Sequence, residues 1–195
     1  MKKIVLGSAS PRRSELLSNA GIDFEVLTSD CEETVDENLD YPDIVKALAE
    51  QKNNAVVKDS HCPQNSVVIT ADTMVLCDGK IMGKPKDDDE AYEMLSLLSG
   101  NTHYVLTGFC ICDRESKNRV LDYEETAVKF RNLDQEEIKN YIKTGECRDK
   151  AGAYGIQLRG SMFVEKIEGD YFNIVGLPVQ KICKLLKEDF NISLL

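Results

Sequence analysis

The sequence lacks most of the features that name a chemistry on sight, and each absence narrows the choice. No apolar run approaches the ~18–20 residues of a membrane span, so no membrane partner is expected. The N-terminus enters strand-like sequence almost at once, and no signal peptide is expected. Seven cysteines (31, 62, 77, 110, 112, 147 and 183) include no C-x-x-C pair, and their number is odd. Reduced thiols in a cytoplasmic protein are the simplest account. The excess of basic charge that marks a general nucleic-acid binder is also missing, since the formal net charge is -10. A small polyanion remains open, because it needs only a local positive cluster. Internal repeats, low-complexity tracts and flexible linkers are absent, and residues 1–195 read as a single domain.

Catalytic signatures are equally sparse. Residues 7–13 lack the G-K-[ST] ending of a P-loop, and there is no G-x-G-x-x-G or G-x-S-x-G. The only histidines are His61, in a polar loop, and His103, at a strand start, which leaves a Ser or Cys triad without a placed base. Cys110 and Cys112 share one side of a strand but lack a second pair at zinc-ligand spacing, and they read as core.

What is present begins with VLGSASPRRSELLSNAG, residues 5–21. Ile4, Val5 and Leu6 end a strand, and Gly7, Ser8 and Ala9 make a turn. Ser10 suits an N-cap, Pro11 the first helical position and Gly21 the stop. Arg12 and Arg13 then fall in the first turn, where the helix dipole disfavours each by roughly 0.3–1 kcal/mol. Two readings stand: solvated surface arginines, or a phosphate held there by backbone N–H groups and guanidinium forks.

Strand-like and helical segments alternate through the rest of the chain. FEVLTS (24–29) reads as a strand, followed by the acidic DCEETVDENLD and a helix over 42–58 carrying Ile44, Val45, Leu48, Ala49, Ala55 and Val56. VVIT (67–70) is a buried-strand run, continued by MVLC to Asp78-Gly79 and through KIMG as a hairpin. A helix over 87–98 precedes two long strands, HYVLTGFCICD and RVLDYEETAVKF. A short helix over 134–143 ends at Gly145, SMFVEKI and YFNIV flank the Glu168-Gly169-Asp170 turn, and Pro178 opens the last helix. Early crossover helices followed by hairpins imply an α/β fold with a mixed twisted sheet and flanking helices.

A carboxylate-and-lysine set remains for chemistry. Asp72 follows the buried run VVITA and is expected at the carboxyl end of a strand, where open α/β sheets bind ligands. Glu32 and Glu33 follow the second strand. They are solvated acids, or, if one converges with Asp72, hard oxygen ligands for Mg²⁺ or Mn²⁺. Lys84 sits on the Gly-Pro-framed turn of MGKPK, and Lys52 lies within the second helix. Each alone is a surface lysine; with Arg12 and Arg13 they supply the charge that a triphosphate needs.

SASPRR (8–13), LAEQK (48–52), ADT (71–73), GKP (83–85), LSG (98–100), DKAGAYGIQ (149–157) and GDYFNIVGLP (169–178) stand in an order and spacing that resemble the Maf-like nucleoside triphosphate pyrophosphatases. The resemblance covers essentially the whole chain. It implies a mixed α/β, ITPase-like fold with two lobes around a deep nucleotide-binding cleft, usually as a homodimer. The implied activity is divalent-metal-dependent hydrolysis of a nucleoside triphosphate to the monophosphate and pyrophosphate. Asp72 falls on the family's acid/base position, and Glu32, Lys52 and Lys84 on active-site positions, with the metal on Asp72 and Glu32. The acidic run admits a one-residue shift to Glu33. Ser8, Arg12 and Arg13 fall on substrate-binding positions, the arginines on the phosphates, and Arg12, Thr73 and Gln157 match the subfamily acting on dTTP and UTP. The Gln157 amide can donate to O4 and accept from N3–H of uracil or thymine, whereas cytosine reverses both polarities. The AGAYG glycines let backbone approach the base, or serve a turn. A metal-dependent phosphohydrolase releasing orthophosphate and a non-catalytic nucleotide sensor are the alternatives.

Overall fold

Apolar runs cut by turn residues build a mixed sheet in the computed structural model, which describes residues 2–28, 30–36 and 38–194. Strand β1 (Lys3–Leu6) leads through the Gly7–Ser10 turn into α1 (Pro11–Asn19). Ser10 occupies the N-cap position, but its side chain makes no cap bond; Ser8 Oγ instead accepts from the Ser10 N–H at 3.2 Å. The strand expected over 24–29 reduces to β2 (Glu25–Val26), with Ser29 outside the described residues. Its pairing partner β1 stops at Leu6, opposite Val26, which limits how far the pairing can run.

Helix α2 (Tyr41–Lys58) buries Ile44, Val45, Leu48, Ala49, Asn53 and Val56. Strand β3 (Ser66–Cys77) turns at Asp78 and Gly79, φ 48° and 72°, into β4 (Lys80–Met82). Two consecutive positive φ values are what a type I′ hairpin turn demands, and Asp-Gly supplies them cheaply. Then follow α3 (Asp88–Leu98), β5 (Thr102–Asp113), β6 (Arg119–Phe130) and α4 (Gln135–Lys143), the last begun by a capping box between Asp134 and Glu137. Short 3₁₀ turns at Ala151–Ala153 and Arg159–Phe163 lead to β7 (Val164–Glu168).

YFNIV does not continue as strand after the Glu168-Gly169-Asp170 turn. It forms α5 (Tyr171–Val175), because the Asp170 carboxylate accepts the Phe172 N–H at 2.8 Å and starts a helical turn. Helix α6 (Val179–Phe190) follows Pro178.

Among the described residues seven strands form one mixed sheet in the order β2-β1-β3-β5-β6-β7, with β4 on β3. β1 is parallel to β2 and β3, while β3–β4 and β6–β7 are antiparallel. The chain divides into two compact units. Unit 1 comprises Met1–Asp72, Thr107–Glu124 and Gly176–Leu195, and unit 2 comprises Thr73–Leu106 and Glu125–Val175. Cys110 and Cys112 are buried in unit 1, as core residues should be.

Within unit 1, α2 lies tight on the sheet. A Cβ on Gly108 would sit 2.3 Å from the Val45 backbone, so only glycine admits this approach. Thr70 Oγ1 donates to the Ala49 carbonyl at 2.7 Å. Asn53 Nδ2 donates to the carbonyls of Val68 and Cys110 at 3.1 and 3.3 Å. These bonds fix the rotation of α2 about its axis, and with it the direction of Lys52.

Candidate active site

Asp72 lies within β3 rather than at its end. The parallel register with β1 closes at Leu6 and Ile69, so Asp72 sits where β3 has outrun that neighbour, its side chain 18% exposed. Lys52, on α2, places Nζ 2.5 Å from Asp72 Oδ1 and 3.1 Å from Glu33 Oε1. The structure therefore brings Glu33, one residue beyond Glu32, onto the Lys52–Asp72 pair. The segment before α2 is held by Gln51, whose Oε1 accepts the Thr34 N–H at 2.9 Å and whose Nε2 donates to the Thr34 carbonyl at 2.8 Å. That clasp sets Glu33, the residue before Thr34, beside Lys52. Glu32 is exposed.

The opening turn and α1 bring Arg13 into the same unit-1 site. Its Nε donates to the Gly176 carbonyl at 2.7 Å, and its Nη1 to the Ala71 carbonyl at 2.7 Å and to Ser8 Oγ at 3.1 Å. Arg13 thus ties the turn to the residue preceding Asp72. Burial pulls its pKa below the usual arginine value, opposed by the negative charge of Asp72. Arg12 is half-buried in the same first turn. Gly7 completes the packing: a Cβ there would meet Thr70 Cγ2 at 2.5 Å.

Thr73, Lys84 and Gln157 belong to unit 2. Lys84 and Gln157 are exposed. Their segments are tied together, because the Gly152 N–H donates to the Gly83 carbonyl at 3.1 Å. Gly152 has φ 71°, and a Cβ there would press on Val75 at 3.1 Å. The Glu146 carboxylate accepts from Tyr141 Oη at 3.0 Å and from the N–H groups of Arg159 and Gly160, two and three residues past Gln157, at 3.2 Å each. Glu146, Lys150, Leu158 and Arg159 line part of an open pocket of about 470 Å³.

The histidines take no part in a triad. His61 is exposed with Nδ1 on Asp59, and His103 is buried against Tyr154. Among the described residues no three His, Cys, Asp or Glu side chains cluster as a metal centre. Asn53 escaped the sequence reading, although a signal exists. It shares the apolar α2 face of Val45, Ala49 and Val56, where a polar residue must find a buried partner.

The family model for Maf-like proteins matches residues 3–189. A dTTP/UTP pyrophosphatase of Alkaliphilus oremlandii (strain OhILAs) is 52% identical over 195 residues, covering all of both chains. One from Thermoanaerobacter sp. (strain X514) is 50% identical over 194 residues, 99% of this chain and 100% of that protein. Another, from Bacillus cytotoxicus, is 50% identical over 188 residues, 96% of each. Among solved structures, the Staphylococcus aureus Ham1 protein is similar with a TM-score of 0.48 and 17% identity, covering 66% of this chain and 72% of that one.

Proposed function

This chain belongs to the Maf-like protein family, and from that premise we propose that it hydrolyses dTTP and UTP to the nucleoside monophosphate and pyrophosphate. The observation that carries the reading is the convergence of Asp72, Lys52 and Glu33 in the unit that also holds the arginine-bearing turn. Full-length relatives at about half identity bear the name of this activity.

Two carboxylates that both reach one ammonium nitrogen, 2.5 and 3.1 Å away, present hard oxygens toward a single point of positive charge. Such a donor set fits Mg²⁺ or Mn²⁺, which take one or two protein carboxylates and complete their shells with water and substrate phosphate. Asp72 and Glu33 would hold the ion, which when bound supplies Lewis-acid neutralisation of phosphate oxygens.

The chain's own groups do the rest. Asp72 Oδ2 takes a proton from the attacking water as its oxygen bonds to the α-phosphorus. The bond from that phosphorus to the bridging oxygen breaks, and pyrophosphate leaves with the electron pair. Lys52 holds Asp72 Oδ1 and so orients the carboxylate. Arg12 and Lys84 neutralise charge on the leaving group. Arg13 and Ser8 shape the turn around the phosphates, while Thr73 and Gln157 recognise the base. The proposal extends to a homodimer in the cytoplasm, where seven free thiols suit a reducing environment. Among the described residues no helix is long and apolar enough to cross a membrane.

A panel of nucleoside triphosphates with separate detection of pyrophosphate and orthophosphate tests the reading. We expect pyrophosphate, and dTTP and UTP ahead of CTP by at least about tenfold in kcat/KM, with purine nucleotides poor. Orthophosphate with a nucleoside diphosphate would overturn it.

A further inference from the structure

His103 has no part in this chemistry, yet its surroundings lead to the segment that carries Gln157. The residue lies near the start of β5, fully buried. Its Nε2 is 2.8 Å from Tyr154 Oη, while Nδ1 is buried without a hydrogen-bond partner among the described residues. The Phe130 ring stands edge-on to both, with centroids 4.9 Å from His103 and 4.7 Å from Tyr154. Burial pushes the imidazole pKa down to about 4, so the ring is neutral near pH 7. The Tyr154 hydroxyl therefore has a directional partner inside an aromatic wall, where an unpaired polar atom is costly.

Tyr154 in turn anchors a backbone that would not stay in place unaided. Gly152 and Ala153 before it have φ 71° and 59°, the left-handed region that alanine resists. Gly155 after it donates to Tyr141 Oη at 3.1 Å. The segment thus hangs on two phenol oxygens and on the Gly152–Gly83 bond, which reaches the turn of Lys84.

We propose that His103 is a positioning residue, which through Tyr154 sets residues 152–157 so that Gln157 discriminates between pyrimidine bases. The proposal rests on the reading of Gln157 given above. Base discrimination needs two directional hydrogen bonds, which weaken steeply with misalignment. Charge neutralisation on phosphates declines only as the inverse of distance. Loosening the anchor therefore costs selectivity before it costs turnover.

The test measures kcat and KM for UTP and CTP, with melting temperature, in Tyr154→Phe, His103→Phe, the double variant, His103→Gln and Gln157→Glu. Tyr154→Phe removes one oxygen and keeps the ring. It should lower the UTP-over-CTP ratio of kcat/KM by about fivefold or more, with kcat for UTP within about threefold of the unmodified protein. The double variant should be no less selective than Tyr154→Phe alone, since both lack the same bond. His103→Gln, whose amide can donate to or accept from the Tyr154 hydroxyl near the position of Nε2, should recover part of the ratio. An unchanged ratio in a folded Tyr154→Phe protein overturns the proposal. A fall in kcat with the ratio intact also overturns it, because a merely structural role gives that result. If Gln157→Glu also leaves the ratio intact, the reading of Gln157 fails first and this proposal with it; if only Gln157→Glu changes it, this proposal alone fails.

Discussion

The ammonium of Lys52 lies 2.5 Å from the carboxylate of Asp72, and the same nitrogen is 3.1 Å from Glu33. One lysine thereby selects between two adjacent glutamates. Glu33→Gln should lower pyrophosphate release by at least about tenfold, and Glu32→Gln should change it by less than about threefold. Steady-state kinetics of both variants at saturating metal decide the matter; the opposite ranking would return the role to Glu32.

Asp72→Asn keeps shape but removes both a proton acceptor and a charged ligand. Turnover with dTTP should fall by at least ~10²-fold. Circular dichroism would establish that the variant is folded, and near-normal turnover in it would remove Asp72 from the mechanism.

Arg13 and Lys84 should separate in a thermal melt. Arg13 donates to two backbone carbonyls and Ser8 Oγ, so Arg13→Ala leaves acceptors unpaired and should cost about 2–3 kcal/mol of stability along with activity. Lys84 is exposed, and Lys84→Ala should shift stability by no more than about 0.5 kcal/mol while raising KM. Denaturant unfolding beside kinetics reads both effects. Equal melting behaviour would mean that the Arg13 bonds carry no net stability.

Buried His103 makes stability depend on acid. Its folded pKa of about 4 lies below the ordinary 6.5, so the unfolded chain takes up the proton first as pH falls. The folded state binds fewer protons across that window, and stability must rise with pH through it and be complete above it. On the order of 3 kcal/mol should be lost between pH 6.5 and about 4. Urea unfolding of the unmodified protein and His103→Gln across this range tests the point, and equal slopes would show that His103 is not the source.

Local sequence determined much of this molecule. Asp78-Gly79 specifies its hairpin through two positive φ values, and Pro11 and Asp134 mark helix starts. The period of Ile44, Val45, Leu48 and Ala49 specifies the buried face of α2. Each of these acts over a few residues, so neighbours in the chain carry the whole cause. YFNIV marks the limit, because its apolar and β-branched residues are compatible with strand, and the Asp170 side chain settled it as helix.

Tertiary structure alone decided which glutamate of an acidic run meets Lys52, since Glu32 and Glu33 are equivalent until the Gln51–Thr34 clasp orients the segment. It also gave Arg13 partners 58 and 163 residues away, and paired His103 with Tyr154 across 51. These bonds follow from where donors and acceptors distant in the chain lie in the assembled fold. Propensity and periodicity carry no information about such distances, because a directional bond is decided by ångström-scale placement and not by residue type.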